Sequence, residues 1–170
     1  MLPKSYVVFK WTVYALASLL LFALQSLLLS HIQVMGVTPF LYPILPAAAA
    51  MYEGSRRGPL FALALGVVCD LLLPGPFQGF FAISFTLIAL FSAMMAENFI
   101  EPGFLCALIV SAGGLLLTGG LRMLVQILTG GEYLGLMGRI ALQETLLTLP
   151  AAVVVFPLYR VIHRRCAVDY

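Results

Sequence analysis

The stretch from Trp11 to Leu29 contains no charged side chain and is mostly apolar. A helix needs about 20 such residues to cross the hydrocarbon core of a bilayer. Of the 170 residues, 62% are hydrophobic and 9% are charged, whereas an average soluble domain has about 25% charged residues. The mean hydropathy is +1.07. Because so few charges cannot cover a water-exposed surface, the sequence predicts an integral membrane protein.

The apolar stretch follows Lys4 and Lys10, an order that secretory signal peptides also show. It is longer than the apolar core of a signal peptide, which has roughly 7–15 residues. It also lacks an A-x-A cleavage site at its end. We therefore interpret it as a first membrane span that the mature protein retains.

Further apolar stretches predict five more spans, so the fold class is an all-α integral membrane protein with six transmembrane helices in one domain, residues 1–170. The predicted spans are residues 11–29, 40–52, 60–73, 80–96, 104–128 and 140–162. The third span is short, at roughly 21 Å, and Pro74-Gly75-Pro76 follows it. We expect this loop to lie at membrane depth under a cover of protein, because lipid does not tolerate exposed backbone polar groups.

The basic residues predict the orientation in the membrane, since cytoplasmic loops carry an excess of Lys and Arg. With six spans, both termini lie on the same side. That side is predicted to be the cytoplasm, and seven of the nine basic residues then fall there: Lys4, Lys10, Arg56, Arg57, Arg160, Arg164 and Arg165. The remaining two, Arg122 and Arg139, fall near the outer ends of spans five and six.

Four charged residues lie in or near apolar stretches: Asp70, Arg122, Arg139 and Glu144. A carboxylate at the centre of a membrane helix costs about 2.5–3.5 kcal/mol, so such residues usually have a partner or a function. In the predicted topology all four lie toward the outer half of the membrane. We predict an ion-pair cluster that holds spans three, five and six together. The alternatives are a polar cavity or partner-docking site, and a proton relay.

The cysteines and histidines do not predict a metal site, a cofactor or a disulfide. Cys69, Cys106 and Cys166 are far apart in the sequence and form no C-x-x-C motif. In the predicted topology, His31 and His163 lie on opposite sides of the membrane, and neither has a second ligand near it in the sequence.

Catalytic signatures such as G-x-S-x-G, H-E-x-x-H and the P-loop do not occur in the sequence. A net charge of +2 also gives no reason to expect a nucleic-acid partner. The sequence therefore predicts a protein without catalytic activity. A membrane enzyme with an unfamiliar motif near Arg139, Gln143 and Glu144 is an alternative.

Short motifs from Pro39 to Glu97 follow one another in a distinctive order. They are Pro39-Phe40-Leu41, Arg57-Gly58, Gly66-Val67-Val68-Cys69-Asp70-Leu71-Leu72, Gly75, Gly79 and Phe81-Ala82. This order resembles the rod shape-determining protein MreD family, and the length and the number of predicted spans agree with it. The chain departs from the family pattern in its Pro74-Gly75-Pro76 loop and around Tyr133 to Arg139.

The resemblance implies a fold similar to the substrate-binding S-components of energy-coupling-factor transporters. It also implies a non-catalytic role in the bacterial inner membrane, in which the protein binds MreC directly within the membrane and is needed for rod shape and lateral cell-wall synthesis. Through MreC it would be linked to MreB filaments, to RodA and to a class B penicillin-binding protein. The residues that carry the resemblance are Pro39, Arg57, Gly58, Gly66, Asp70, Gly75 and Gly79.

A transporter subunit is the main alternative, because an S-component for a vitamin or ion shares the six-span plan. Such a subunit needs a polar, aromatic-rich pocket on its outer side. The predicted outer loops offer few residues for one: His31, Gln33, Gln78 and Tyr133. The first span is rich in leucine, whereas S-components use small residues there to dock their coupling module. The sequence therefore favours the scaffold.

Overall fold

The computed structural model describes residues 4–27, 38–130 and 134–165, which form five α-helices and no β-strand. The helices are α1 (Lys4–Leu27), α2 (Ile44–Leu72), α3 (Phe80–Asn98), α4 (Phe104–Leu128) and α5 (Leu134–Arg165). Four of them are long and apolar enough to cross a membrane, in α1, α3, α4 and α5. The chain thus has the architecture of a helical membrane protein.

The prediction of six separate spans is wrong, because the predicted second and third spans both belong to α2. The backbone leaves the helical conformation at Gly54, where φ is 76° and ψ is −179°. A Cβ atom on Gly58 would lie 2.6 Å from the Cα of Ala50, although residues eight apart in a straight helix are separated by about 12 Å. Hence α2 folds back on itself at Gly54, a turn that needs a glycine because its φ is positive.

The two arms of α2 differ in length and position. The first arm, residues 44–53, is about 15 Å long and covers only half of a hydrocarbon core of about 30 Å. Its residues from Ile44 to Met51 are all buried. The hydroxyl of Ser92 donates a hydrogen bond to the carbonyl of Ala47, at 2.6 Å. The first arm is therefore the centre of the bundle, and its four small alanines let the neighbouring helices approach closely.

The second arm, residues 55–72, packs along α3, and the contact between α2 and α3 is the most extensive in the bundle. On the outer surface, by contrast, large apolar side chains are exposed on every helix. Leu16 is 65% exposed, Leu71 82%, Leu128 77% and Leu146 71%. An apolar outer surface of this kind fits lipid rather than water, since soluble proteins rarely expose large contiguous apolar patches.

The bundle has two ends that differ in their contacts. At the terminal end, the beginning of α1 and the end of α5 meet: Lys10 and His163 both contact Glu53. At the loop end, the chain between α2 and α3 turns and Asp70 contacts the start of α3. Successive helical segments run in alternate directions between these ends. The sequence pattern placed most basic residues on one side, and Lys10, Arg56, Arg57, Arg160 and Arg164 lie at the terminal end.

Candidate functional site at the loop end

The Asp70 side chain caps the start of α3. Its Oδ1 atom accepts a hydrogen bond from the backbone N–H of Phe81, at 2.9 Å, and its Oδ2 atom accepts one from Ala82, at 3.0 Å. These N–H groups belong to the first turn of α3, where no intrahelical acceptor exists. The residue that precedes α3 is Gly79, which has no side chain with which to cap it. The carboxylate thus replaces a local cap and also suits the positive end of the helix dipole.

Gly66 lies one turn before Asp70 on the same face of α2. A Cβ atom there would be 2.5 Å from the Cα of Ala82 and 2.8 Å from its nitrogen. The backbones of α2 and α3 therefore touch at this point, and any larger residue would push them apart. This contact brings the second arm close enough for the Asp70 carboxylate to reach the first turn of α3.

The loop between α2 and α3 is exposed, although both of its ends are fixed, so the prediction that protein covers this loop is wrong. Residues from Pro74 to Gln78 are all exposed. Phe77 is 44% exposed, and its ring packs edge-on against Phe80, with 5.6 Å between the ring centres. The Phe77 carbonyl accepts a hydrogen bond from the Phe80 N–H at 3.2 Å, and Leu73 N–H binds the Cys69 carbonyl at 2.8 Å. The loop is therefore an exposed surface of defined shape.

The predicted cluster of four charges does not form as a unit. Arg122 Nη1 lies 3.7 Å from Glu144 Oε2, so one acid and one base are paired. Asp70 forms no ion pair with another described residue, and the partners of its carboxylate are the backbone N–H groups. Arg139 lies on an exposed part of α5 and likewise forms no ion pair within the described ranges. The prediction that Arg122 and Arg139 neutralise Asp70 is wrong, because backbone donors supply what a side-chain cation was expected to supply.

An aromatic pair lies between Asp70 and Arg122. The Arg122 guanidinium carbon is 4.5 Å from the centre of the Phe40 ring, a distance at which a cation and a ring attract each other. The Phe40 ring in turn packs on the ring of Phe81, with 6.5 Å between the centres. Arg122 and Asp70 are therefore not in contact. Arg122 lies over the Phe40 ring, and Asp70 binds the backbone N–H of Phe81.

The segment before α2, residues 38–43, is not helical, and side chains from two helices bind its backbone. Gln25 of α1 donates to the carbonyl of Pro39 and accepts a hydrogen bond from the Leu41 N–H at 3.2 Å. Thr148 of α5 accepts one from the Phe40 N–H at 3.0 Å. A backbone that is not helical needs such partners when it is buried. The sequence pattern pointed to Pro39 but missed Gln25 and Thr148, whose only signal is that they are polar residues in apolar helices.

A buried ion pair at the terminal end was also missed. Lys10 Nζ lies 2.8 Å from Glu53 Oε2, and the two side chains are 5% and 3% exposed. His163 Nδ1 lies 3.1 Å from Glu53 Oε1, and the His163 ring stacks on Tyr52. A sequence signal was present, because Glu53 directly follows the apolar run of the first arm. It could not show which basic residues meet this carboxylate.

The remaining predicted residues lie in different parts of the molecule. Arg57 is half-buried and Gly58 packs on Ala50, both toward the terminal end. Gly75 lies in the exposed loop, and Gly79 has a φ of 88° immediately before α3. His31, Gln33, Tyr133 and Cys166 lie outside the described residues. In the part of the chain that the structure describes, no three His, Cys, Asp or Glu side chains meet as a metal site requires.

The structure thus brings Gly66, Asp70, Gly79, Phe81 and Ala82 together in one unit that joins α2 to α3, which we call the Asp70 unit. Comparison of the chain with protein-family models, with curated proteins and with solved structures gave no match.

Proposed function

We propose that this protein is a non-catalytic membrane scaffold of the MreD type, which supports rod shape and lateral cell-wall synthesis by binding MreC. Through MreC it acts with MreB, RodA and a class B penicillin-binding protein in the elongation machinery. The proposal starts from the resemblance of the motifs between Pro39 and Glu97 to the MreD family.

The observation that carries the proposal is the Asp70 unit. The motif residues Gly66, Asp70, Gly79 and Phe81-Ala82 are separated in sequence but adjacent in the fold. Their contacts are structural: a backbone approach at Gly66 and a cap on α3 from Asp70. Each oxygen of the Asp70 carboxylate accepts a backbone N–H, so this side chain joins two helices. A scaffold uses residues in this way, to fix the shape of a surface.

We propose that the exposed loop from Pro74 to Gln78 is part of the surface that MreC contacts. The Asp70 cap and the Phe77–Phe80 contact fix its ends. Fixing the loop before binding reduces the entropy that association would otherwise cost. The loop lies opposite the basic terminal end, so the positive-inside rule places it on the periplasmic side, where the soluble part of MreC lies.

We further propose that the protein resides in the bacterial inner membrane with both termini in the cytoplasm. The contact of Lys10 and His163 with the same carboxylate supports a common side for the two termini. The helical segments alternate in direction, with α2 contributing two arms, of which the first is too short to span a bilayer.

Affinity purification from the native membrane tests the proposal. A tagged copy of this protein is expected to retain MreC in neutral detergent, whereas a tagged, unrelated membrane protein of similar size retains none. In parallel, the purified protein is titrated with vitamins by isothermal calorimetry. Recovery without MreC would contradict the scaffold, and saturable binding of a vitamin would instead support the transporter subunit.

A further inference from the structure

A pocket of about 130 Å³ opens between α4 and α5 at the terminal end of the bundle. Its wall is mostly apolar and includes one cation. The residues that define it best are Tyr52, Phe104, Ala107, Ala152, Phe156 and Arg160. For comparison, an engineered apolar cavity of about 150 Å³ holds a molecule of benzene. The pocket therefore has room for a short run of methylene groups, and it is small beside the ~300–1,000 Å³ of a typical pocket for a drug-sized ligand.

Within the described residues, the cation at this pocket has no acidic partner. Arg160 is exposed, and none of the ion pairs among the described residues involves it. Arg164 lies one helical turn further along α5, and both guanidinium groups are within electrostatic range of Tyr52. The carboxylate of Glu53, which is next to Tyr52 in the sequence, does not pair with Arg160. Its two oxygens contact Lys10 and His163 instead. Hence no acidic side chain in the described ranges compensates the positive charge at the mouth of the pocket, which lies next to apolar walls.

We propose that this pocket binds an anionic phospholipid, with the phosphate at Arg160 and the first part of one acyl chain between α4 and α5. Charge complementarity argues for this occupant, because basic pockets between membrane helices on the cytoplasmic side recognise anionic lipid headgroups. The guanidinium supplies several donors to phosphate oxygens at once. The apolar wall formed by Ala107, Ala152 and Phe156 matches the hydrocarbon that continues from the glycerol backbone. The proposal does not depend on binding of MreC.

Thermal unfolding and native mass spectrometry of the purified full chain in neutral detergent test this proposal. Phosphatidylglycerol is expected to raise the melting temperature in a concentration-dependent manner and to appear as one bound lipid. Phosphatidylcholine at the same concentration should have little effect, because it carries no net charge. Inorganic phosphate and glycerol 3-phosphate are tested in the same way, because a site for the headgroup alone would bind them. Neither is expected to raise the melting temperature as phosphatidylglycerol does.

Two variants locate the lipid. Arg160→Gln should weaken phosphatidylglycerol binding at least about tenfold, because a hydrogen bond to a charged group is lost. Arg56→Gln is the matched control: it removes an exposed arginine from the same end but not from the pocket, and should leave binding within about twofold. Ala152→Leu fills the pocket and should abolish the rise in melting temperature that phosphatidylglycerol causes. The comparison requires that the melting temperature of this variant without lipid stays near that of the wild type.

Several results would overturn the proposal. Equal losses in Arg160→Gln and Arg56→Gln would show only general attraction between anionic lipid and a basic surface. Stabilisation by inorganic phosphate alone would indicate an anion site without an acyl chain. If Ala152→Leu leaves lipid binding intact but blocks recovery of MreC, a side chain of the partner helix fills the pocket instead. If Ala152→Leu does not fold, Ala107→Leu on the opposite wall serves for the same measurement.

Discussion

Asp70 binds the first turn of α3 at Phe81, which lies eleven residues further along the chain. One carboxylate thereby closes the turn between the second arm of α2 and α3, and its second oxygen extends the same cap to Ala82. Each of these bonds joins a charged acceptor to a backbone donor, which makes them stronger than neutral hydrogen bonds. The exposed loop owes its fixed ends to this contact.

Substitution of Asp70 should destabilise the protein in proportion to the number of acceptors removed. Asp70→Ala loses both hydrogen bonds and should lower the free energy of unfolding by about 0.5–2 kcal/mol, the range for loss of a helix cap. Asp70→Asn keeps one acceptor and should lose less, whereas Asp70→Arg adds a cation at the positive end of α3 and should lose most. Thermal unfolding in detergent measures all three. Glu101→Gln, which removes an exposed carboxylate outside the Asp70 unit, is the control and should melt like the wild type.

Gly66→Ala should destabilise the contact between α2 and α3, because the added Cβ would overlap the backbone of Ala82. Overpacking of this kind costs about 1–3 kcal/mol. Gly120→Ala is the matched control, since a Cβ at that helical glycine meets nothing within 4 Å. Alanine there should leave stability unchanged or raise it slightly, because alanine favours helix more than glycine does. If both variants melt alike, the close approach at Gly66 is not a stabilising contact.

The Lys10–Glu53 pair should show strong coupling, because both side chains are almost completely buried. Removing Glu53 leaves the buried Lys10 ammonium without its carboxylate, a loss that costs about 3–5 kcal/mol. Removing Lys10 should cost less, because His163 still contacts Glu53. Lys10→Met combined with Glu53→Gln should therefore cost clearly less than the sum of the two single substitutions. A double-mutant cycle by denaturant or thermal unfolding measures this difference. The longer, more exposed Arg122–Glu144 pair should couple by no more than about 1 kcal/mol, and equal coupling in the two pairs would contradict the structure.

Thr148→Val should loosen the non-helical segment before α2. Valine has nearly the shape of threonine but no oxygen to accept the bond from the Phe40 N–H, and a buried donor without a partner costs about 1–3 kcal/mol. Amide hydrogen exchange at Phe40 should become faster. Thr86→Val is the control, because the Thr86 hydroxyl bonds only to the carbonyl of Ala82 in its own helix. Unchanged exchange at Phe40 in Thr148→Val would contradict the role of the Thr148 hydroxyl in holding this segment.

Hydropathy alone predicted the segments whose apolar character is continuous. The predicted fifth span, 104–128, coincides with α4, and the first, fourth and sixth fall on α1, α3 and α5. Hydropathy did not predict that residues 40–52 and 60–73 belong to one helix that folds back on itself. The charged turn between them interrupts the apolar pattern, and such an interruption normally indicates a loop between two helices. Gly54 alone leaves the helical conformation. Because this one residue with a positive φ reverses the chain, the residues on both sides of it remain helical.

The candidate site was predictable only in part. The spacing of Gly66, Asp70 and Gly79 drew attention to the Asp70 unit. The positions of the charged residues in the sequence could not predict the partners of Asp70. These partners are backbone N–H groups, which nearly every residue has. Similarly, Glu53 is visible as an acid after an apolar run, but its pairing with Lys10 and His163 depends on the packing of α1 and α5 around the first arm.

Site-specific photocrosslinking in living cells tests most directly whether this protein is a scaffold for MreC. A photoreactive amino acid is placed at Phe77 in the loop, and at Val154, which is 71% exposed on α5, as a lipid-facing comparison. The scaffold proposal predicts a crosslink to MreC from position 77 that Asp70→Ala weakens, and none from position 154. The absence of any MreC adduct at position 77 in a folded, membrane-inserted protein would contradict it.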